Sequence, residues 1–306
     1  MAVGDLITAA RYNAIQNRIN TIMGVGSGNS GYGQTLASSQ RTGGSTQNAT
    51  LSDILNLRTD MIKARQHQIG GDQGPSPGTG AFPLVTTADQ ITDAYATNLE
   101  SQMTLIENSK LSIDDSTTNR TIVTNAATSS RSTAWSATIT HNITINFGSA
   151  NAARYYFNSG GQLRFRAAMS GTPSGTNGTA IFNDWQSMLS GVGTVIFNHN
   201  STSKTGAGAA TVAANIGFYN LTTTNQTIMT KTGSGTYAAN TWIIAARRDS
   251  ASSIVYIDIS FNDNKGGNPN FDEPVTGTIT SSMDTFRATG TNVSVPQPSI
   301  SNTATL

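Results

Sequence analysis

Apolar residues recur at three- and four-residue spacing in three segments of the N-terminal part, which is typical of helices with one buried face. The first predicted helix spans residues 8–23, with Thr8 as its N-cap and Gly24 as its C-terminal stop. The second spans residues 52–69 and ends at a Gly-Gly pair. The third spans residues 87–113, with Thr87 as its N-cap. The intervening residues are rich in Gly, Ser, Gln and Pro and are predicted to be linkers.

The third predicted helix carries a repeat that is typical of a coiled-coil seam. Its apolar positions are separated by steps of four, three, four and three residues if Lys110 is counted. The run covers fewer heptads than a coiled coil requires, so an ordinary helix of a small bundle is favoured and the seam stays the alternative. The positions of the repeat are Leu99, Met103, Ile106, Lys110 and Ile113.

Residues 135–147 alternate strictly between two kinds of position, one largely apolar and one occupied by Ser, Thr or Asn. A period of two over thirteen residues predicts a β-strand with one buried and one polar face. The face predicted to be buried carries Trp135, Ala137, Ile139, His141, Ile143, Ile145 and Phe147.

Further short β-rich runs follow, separated by polar turns. Residues 155–157 and 162–167 flank a Gly-containing turn and predict a hairpin. Helical spacing within residues 181–189 predicts one helix among the strands. Short strands with polar connections predict an antiparallel β-sandwich of jelly-roll or Ig-like type. Additional strands are predicted at residues 194–198, 216–222, 241–247 and 253–261.

These patterns predict an α+β multidomain protein, and its 306 residues suffice for two domains. Residues 1–115 form the predicted helical anchoring and oligomerisation region, with Gly/Ser/Pro-rich linkers. Residues 116–306 form the predicted β-sandwich domain.

Composition narrows the classes of function. Charged residues make up 11% of the chain and the net charge is +1, so no strong field favours nucleic acid or an anionic membrane as a partner. The absence of cysteine excludes disulfides and thiolate nucleophiles. No signal peptide and no apolar run of membrane-spanning length is visible, so we expect no membrane insertion.

Two glycine-containing motifs superficially suggest chemistry. The run at residues 24–31 follows a helix and lacks the Gly-Lys-Ser/Thr ending of a phosphate loop, so it is interpreted as a linker. Residues 74–78 match Gly-x-Ser-x-Gly, but they lie in a proline-rich linker and not between a strand and a helix.

Histidines and acids offer no specific catalytic pattern. His67, His141 and His199 have no His or carboxylate at helical metal-ligand spacing. A Ser–His–Asp triad stays open as an alternative, because the members of such triads lie far apart in sequence. A glycosidase needs two acids at one cleft. The C-terminal region offers Asp184, Asp249, Asp258, Asp263, Asp272, Glu273 and Asp284.

Two features are candidate binding sites. Residues 263–273 are rich in the oxygen ligands that calcium prefers, but their spacing is not that of an EF-hand and a surface hairpin loop is favoured. Arg164 and Arg166 share the outer face of one strand, and Arg247 and Arg248 lie elsewhere. Such arginines could bind carbohydrate or an acidic partner, although a solvated face or an intersubunit contact is the commoner use. We therefore predict no catalytic, cofactor-binding or metal-binding residues and no cofactor.

Three segments carry a family resemblance. The opening Met-Ala-Val-Gly-Asp-Leu-Ile-Thr-Ala-Ala-Arg-Tyr and its continuation to residue 20 resemble the start of virion structural proteins of tailed phages, particularly those infecting marine cyanobacteria. Residues 153–165 and 274–291, the latter with Gly-Thr-Ile-Thr-Ser and Arg-Ala-Thr-Gly, are similar to recurrent segments of the same proteins.

The resemblance implies a virion protein that is assembled in the host cytoplasm. It implies a fibre-like appendage of tail, neck or capsid that mediates assembly, host-surface contact or both. Its expected partners are other virion proteins and further copies of the chain, with a trimer favoured. Where the protein contacts the host, a carbohydrate of the host surface is a candidate partner. The alternatives are a capsid decoration or connector protein without receptor binding, and a carbohydrate-active virion enzyme. We expect a protein that is not an enzyme.

Overall fold

The computed structural model describes residues 7–42, 48–73, 82, 85–86, 91–173, 176–265 and 274–306. Within these residues the chain is a mixed α+β protein with two antiparallel sheets arranged as a sandwich, which confirms the predicted fold class. The helices are α1 (Ala9–Met23), α2 (Leu51–Ile69), α3 (Asp93–Asn108), α4 (Ala150–Asn158) and α5 (Thr176–Val192). The strands are β1 (Arg120–Arg131), β2 (Thr138–Asn146), β3 (Gln162–Ser170), β4 (Val195–Phe197), β5 (Thr202–Lys204), β6 (Thr211–Val212), β7 (Gln226–Thr232), β8 (Thr241–Arg248), β9 (Ile254–Asn262), β10 (Thr278–Ala288) and β11 (Ser299–Ala304).

The chain forms two compact units, and neither is one continuous stretch of sequence. The helical unit consists of the described residues up to Thr121, residues 154–161 and residues 287–296. The sandwich unit consists of residues 122–153, the described residues within 162–286, and residues 297–306. Two short segments of the C-terminal part therefore belong to the helical unit.

Helices α1 and α2 form where the apolar spacing predicts them. The Thr8 hydroxyl accepts a hydrogen bond from the Arg11 N–H at 3.3 Å and caps α1. Thr50 and Asp53 form a capping box at the start of α2. The apolar faces of both helices are buried in the helical unit, through Tyr12, Ile15, Ile19, Ile22, Ile54, Leu57, Met61 and Ala64.

The third helix is shorter than the predicted 87–113, and the prediction of its ends was wrong. The Thr92 side chain accepts from the Tyr95 N–H and caps α3, whereas Thr87 lies outside the described residues. At its other end α3 stops at Asn108, and the Asp114 N–H donates to the carbonyl of His67 at 2.8 Å. The chain after α3 thus leaves the helix to join the end of α2.

The repeat on α3 is used inside the bundle. Leu99, Met103 and Ile106 are fully buried in the helical unit, where α3 packs against α1 and α2. This arrangement confirms the interpretation of α3 as an ordinary bundle helix.

The Gly/Ser-rich segment after α1 packs closely on the helical unit. Tyr32 is fully buried, and its hydroxyl donates to the Lys110 carbonyl at 2.6 Å. Gly31 has a φ of 104°, and a Cβ there would lie 2.2 Å from the Val25 carbonyl oxygen. Glycine is therefore required for this turn.

Residues 155–157 are helical, so the predicted hairpin at this position was wrong. The Ser149 hydroxyl accepts from the Ala152 N–H at 3.1 Å and caps α4. Ala153, Tyr156 and Phe157 are buried at i, i+3 and i+4 positions. The Ser149 cap and the helical spacing of the buried residues together outweigh the β-propensity of the aromatic triplet. Only the second half of the predicted hairpin is a strand, β3.

The sandwich unit is built from two sheets. Their strand orders are β1-β10-β3-β4-β5 and β11-β2-β9-β8-β7-β6. Strand β2 has nine residues and is shorter than the predicted 135–147 strand. Its buried positions Ile139, His141, Ile143 and Ile145 confirm the alternation there, whereas Ala137, predicted to be buried, is exposed and precedes the strand. The strands predicted at 194–198, 241–247 and 253–261 correspond to β4, β8 and β9.

Residues 216–222 form a turn, and the prediction of a strand there was wrong. Residues Phe218–Asn220 make one turn of 3₁₀-helix. Phe218 and Leu221 are both buried, and a spacing of three residues suits a 3₁₀ turn, not a strand.

Helix α5, which contains the predicted 181–189 helix, contacts strands of both sheets. Its Trp185 is fully buried, with ring centroids 5.1 Å from Trp135 and 6.2 Å from Phe261. Phe261 also stacks on Trp242 at 6.0 Å. This aromatic cluster holds α5 against the inner faces of the strands.

Candidate functional site

The three histidines were the first candidates for chemistry, and the structure places two of them in the cores of different units. His67 is buried in the helical unit. Its ring packs edge to face against Tyr32, with the two ring centroids 5.1 Å apart. Burial lowers the pKa of His67 from 6.5 to about 4. His141 is fully buried in the sandwich unit, and burial lowers its pKa to about 4 as well. Burial also lowers the pKa of His199. His67 and His141 are thus neutral at pH 7.

His141 lies between a hydroxyl and an amide. Its Nδ1 is 3.0 Å from Ser281 Oγ, and its Nε2 is 3.2 Å from Asn302 Nδ2. The same Asn302 nitrogen also donates to the Thr128 carbonyl at 3.4 Å, which fixes the orientation of the amide. Because an amide nitrogen only donates, Nε2 of His141 accepts and Nδ1 carries the proton.

This tautomer determines what the cluster does. His141 donates to the Ser281 hydroxyl and does not face it with the lone pair that a general base needs. Ser281 is fully buried, and an amide, not a carboxylate, lies at the other ring nitrogen. The cluster therefore joins β2, β10 and β11, and with them the two sheets.

The arginines on the outer face of β3 are engaged by neighbouring strands. Arg166 forms an ion pair with Asp284 on β10 and donates to Asn125 Oδ1 at 2.6 Å. The guanidinium of Arg164 lies 4.2 Å from the ring centroid of Phe286. The guanidinium of Arg247, on β8, lies 3.8 Å from the Tyr256 ring centroid. These contacts are cross-strand packing.

Most of the described acids of the C-terminal region hold local structure. Burial would raise the pKa of Asp249, but N–H groups of Ile254, Ser253 and Ala251 donate to its carboxylate and the net effect lowers that pKa. Asp258 accepts from Asn225 Nδ2 at 2.6 Å.

Two of the acids and most of the candidate calcium loop are not described. Residues 266–273 of the loop, which include Asp272 and Glu273, lie outside the described residues. The Gly-x-Ser-x-Gly match at residues 74–78 lies outside them too.

A groove runs along α5 in the sandwich unit. One end, with a volume of about 130 Å³, is lined by Asp184, Lys231 and Ser234 among others. The adjoining end, about 370 Å³, shares Asp184 and Ser234 and extends to Tyr237. Asp184 Oδ1 accepts from the Ser234 N–H at 3.0 Å and from its hydroxyl at 2.6 Å.

The sequence marks Asp184 only as one acid among seven and gives no direct indication of the buried amide of Asn240. Asn240 is fully buried and lies two residues before the buried Trp242. Extending the alternation of the predicted 241–247 strand by one residue would have placed this amide on the inner face.

Within the described parts of the chain, no group of three or more His, Cys, Asp or Glu side chains is placed to hold a metal ion. None of the described helices is long and apolar enough to span a bilayer. Comparison of the chain with protein-family models, with curated proteins and with solved structures finds no match.

Proposed function

We propose that this chain is a structural protein of a tailed-phage virion, a fibre-like appendage of tail, neck or capsid that serves assembly, host-surface contact or both. The proposal rests on one observation: side chains that could carry out chemistry form structural contacts instead. His141, Arg166 and Asp249 join strands and turns of the sandwich unit and are not gathered at one open cleft. The resemblance of residues 1–20, 153–165 and 274–291 to virion proteins supports the same reading.

The surfaces of the two units support different roles, anchoring for the helical unit and outward contact for the sandwich unit. In the helical unit, Arg11 pairs with Asp93 and Glu100, and Arg18 pairs with Glu107, so α1 and α3 are joined by a row of ion pairs. In the sandwich unit, strand β11 exposes mostly small polar side chains. Surfaces rich in hydroxyl and amide groups suit contact with proteins or carbohydrate. We propose that the helical unit docks on the virion and that the sandwich unit faces outward.

Labelled virions test this proposal. The chain has no cysteine, so a single introduced thiol is a specific site for gold labelling. Val25→Cys labels the helical unit at a side chain that is 62% exposed, and Ser250→Cys labels an exposed turn of the sandwich unit. We expect label on purified particles, with the Val25→Cys label nearer the particle body. Protein found only in the cytosol of infected cells, and never in particles, would refute the virion assignment.

Two assays separate the alternatives. A capsid decoration or connector protein would be present on particles but would not bind host cells as purified full-length protein. A carbohydrate-active enzyme would release sugar fragments from host envelope polysaccharide, and this result would replace the structural proposal.

A further inference from the structure

Asn240 is a buried polar side chain without a hydrogen-bond partner. Its exposed fraction is 0%, and neither Oδ1 nor Nδ2 forms a hydrogen bond with any residue that the structure describes. Its backbone carbonyl accepts from the Gly233 N–H at 2.9 Å, so the main chain is fixed at this point. Leaving a buried amide unpaired typically costs about 1–3 kcal/mol per group, and such groups in native proteins are usually met by water or an ion.

The register of the sheet places a carboxylate directly beside this amide. Buried Trp242 pairs with buried Phe261 across β8 and β9, and the adjoining pair Thr241 and Asn262 ends the described ladder. Continuing the ladder by one residue puts Asn240 opposite Asp263, on the same inner face as Trp242 and Phe261. Asp263 is itself buried. Directly opposite residues have Cβ atoms about 4.5–5.5 Å apart.

A second carboxylate lies beside Gly233, the residue after β7, whose N–H donates to the Asn240 carbonyl. A Cβ built on Gly233 would be 2.5 Å from Asp184 Oδ2. Because Gly233 and Asn240 continue the pairing of β7 with β8 by one residue, we place this oxygen near the Asn240 side chain. Asp184 Oδ2 is buried without a hydrogen-bond partner among the described residues, whereas Oδ1 accepts from Ser234.

We propose that Asp184, Asn240 and Asp263 form a binding site for a divalent cation, with calcium as the cation that fits best. The two carboxylates balance a charge of +2, and the amide supplies a neutral oxygen between them. Calcium accepts six to eight oxygen ligands in irregular geometry, while magnesium demands a near-ideal octahedron. The groove of about 130 Å³ at Asp184 leaves room for the water ligands that would complete the shell.

Two lysines lie at the groove and are compatible with this site. Lys231 on β7 pairs with Trp242 on β8 and lines the groove beside Asp184. Lys265 Nζ lies 5.3 Å from the ring centroid of Tyr237 at the other end. The ion pairs among the described residues include neither Lys231 nor Asp184, so the carboxylate is not already neutralised by the lysine.

The site shares Asp263 with the calcium loop that the sequence suggested, but its other two ligands, Asp184 on α5 and Asn240 before β8, lie outside that loop. It is also independent of the proposed virion function, since a cation that stabilises the sandwich unit would do so in any setting.

Terbium luminescence tests the site in the full-length protein. Tb³⁺ replaces Ca²⁺ at oxygen sites and emits when a nearby tryptophan is excited. Trp185 is adjacent in sequence to Asp184, and Trp242 lies two residues from Asn240, so both can sensitise the ion. We expect tryptophan-sensitised emission that Ca²⁺ displaces, and a Tm several degrees higher in calcium than in chelator. Emission that is absent, with no calcium effect on Tm, would overturn the proposal.

Matched variants locate the ion. Asp184→Asn keeps the oxygen that Ser234 holds and removes one charge, and we expect it to weaken Tb³⁺ binding by about tenfold or more, since ligand charge sets affinity at such sites. Asp258→Asn, on the outer face of β9, is the control and should bind as wild type. Circular dichroism verifies that each variant is folded. The double variant Asp272→Asn, Glu273→Gln probes the loop: if it abolishes binding while Asp184→Asn does not, the ion is bound by the loop and the proposed site is wrong.

Discussion

His67 and His141 show how burial converts an ionisable residue into a structural one. Burial lowers the pKa of each from 6.5 to about 4, so the folded protein binds fewer protons than the unfolded chain between these values. Each histidine therefore favours the folded state fully above pH 6.5, and this contribution is lost as the pH falls towards 4. A shift of this size corresponds to on the order of 3 kcal/mol per histidine.

We expect the free energy of unfolding to fall less steeply with pH in His141→Gln than in wild type between pH 6.5 and 4. Glutamine cannot titrate in this range, so the difference between the two curves isolates the histidine from the carboxylates. Urea unfolding at a series of pH values measures it, and His67→Gln gives the corresponding test in the helical unit. Parallel curves for variant and wild type would show that His141 is not buried neutral.

At the scale of elements, α4 shows a local signal that overrides residue propensity. The aromatic triplet Tyr155-Tyr156-Phe157 favours a strand, yet the segment is helical because Ser149 caps it and its apolar residues follow helical spacing. Ser149 is exposed, so its side chain contributes through the cap and not through packing.

Ser149→Ala is expected to lower the free energy of unfolding by about 1 kcal/mol, the usual contribution of an N-cap hydroxyl. Ser149→Asp should retain wild-type stability because a carboxylate also caps. Urea unfolding of the three proteins measures the difference. Equal stability of Ser149→Ala and wild type would argue that no helix begins at this residue.

Helix α3 gives a second prediction, because its repeat faces the bundle core and not another copy of the chain. Met103→Ala should cost about 2–5 kcal/mol, as for other buried methionines. Leu105→Ala, at a side chain that is 46% exposed on the same helix, should change stability by about 0.5 kcal/mol or less. Neither cost should depend on protein concentration. A cost for Met103→Ala that varied with concentration would instead place this residue in an intersubunit seam.

At the scale of the whole molecule, the helical unit depends on residues distant in sequence. Asn158 donates to the Gly31 carbonyl at 3.2 Å, and Asn292 donates to Gln66 Oε1 at 2.9 Å. Tyr156 and Phe157 are buried in the same unit. A cut after residue 115, where the predicted helical region ends, would separate residues 154–161 and 287–296 from the N-terminal helices that they contact.

Residues 116–306 alone are therefore expected to expose apolar surface and to self-associate. Loss of burial costs about 1.5–3 kcal/mol for each large side chain, and Tyr156 and Phe157 would both lose partners. Light scattering and binding of a hydrophobic dye, compared with the full-length protein, measure the effect. A fragment that is monomeric and binds no dye would show that Tyr156 and Phe157 are covered without the N-terminal helices.

The sequence by itself determined the elements whose patterns are local. Helices α1 and α2 follow from apolar residues three and four positions apart, and strand β2 follows from alternation, because each pattern lies within one short stretch of chain. The mixed α+β class follows from the order of these elements.

Only the tertiary structure decided which distant residues meet. Ser281 and Asn302 reach His141 across 140 and 161 residues of sequence, and no local pattern encodes such a pairing. The same holds for Asp184 and Ser234, which are 50 residues apart in sequence and are brought together where α5 packs against β7. Periodicity states which face of an element is buried, whereas the partner of that face depends on packing between elements that are far apart in the chain.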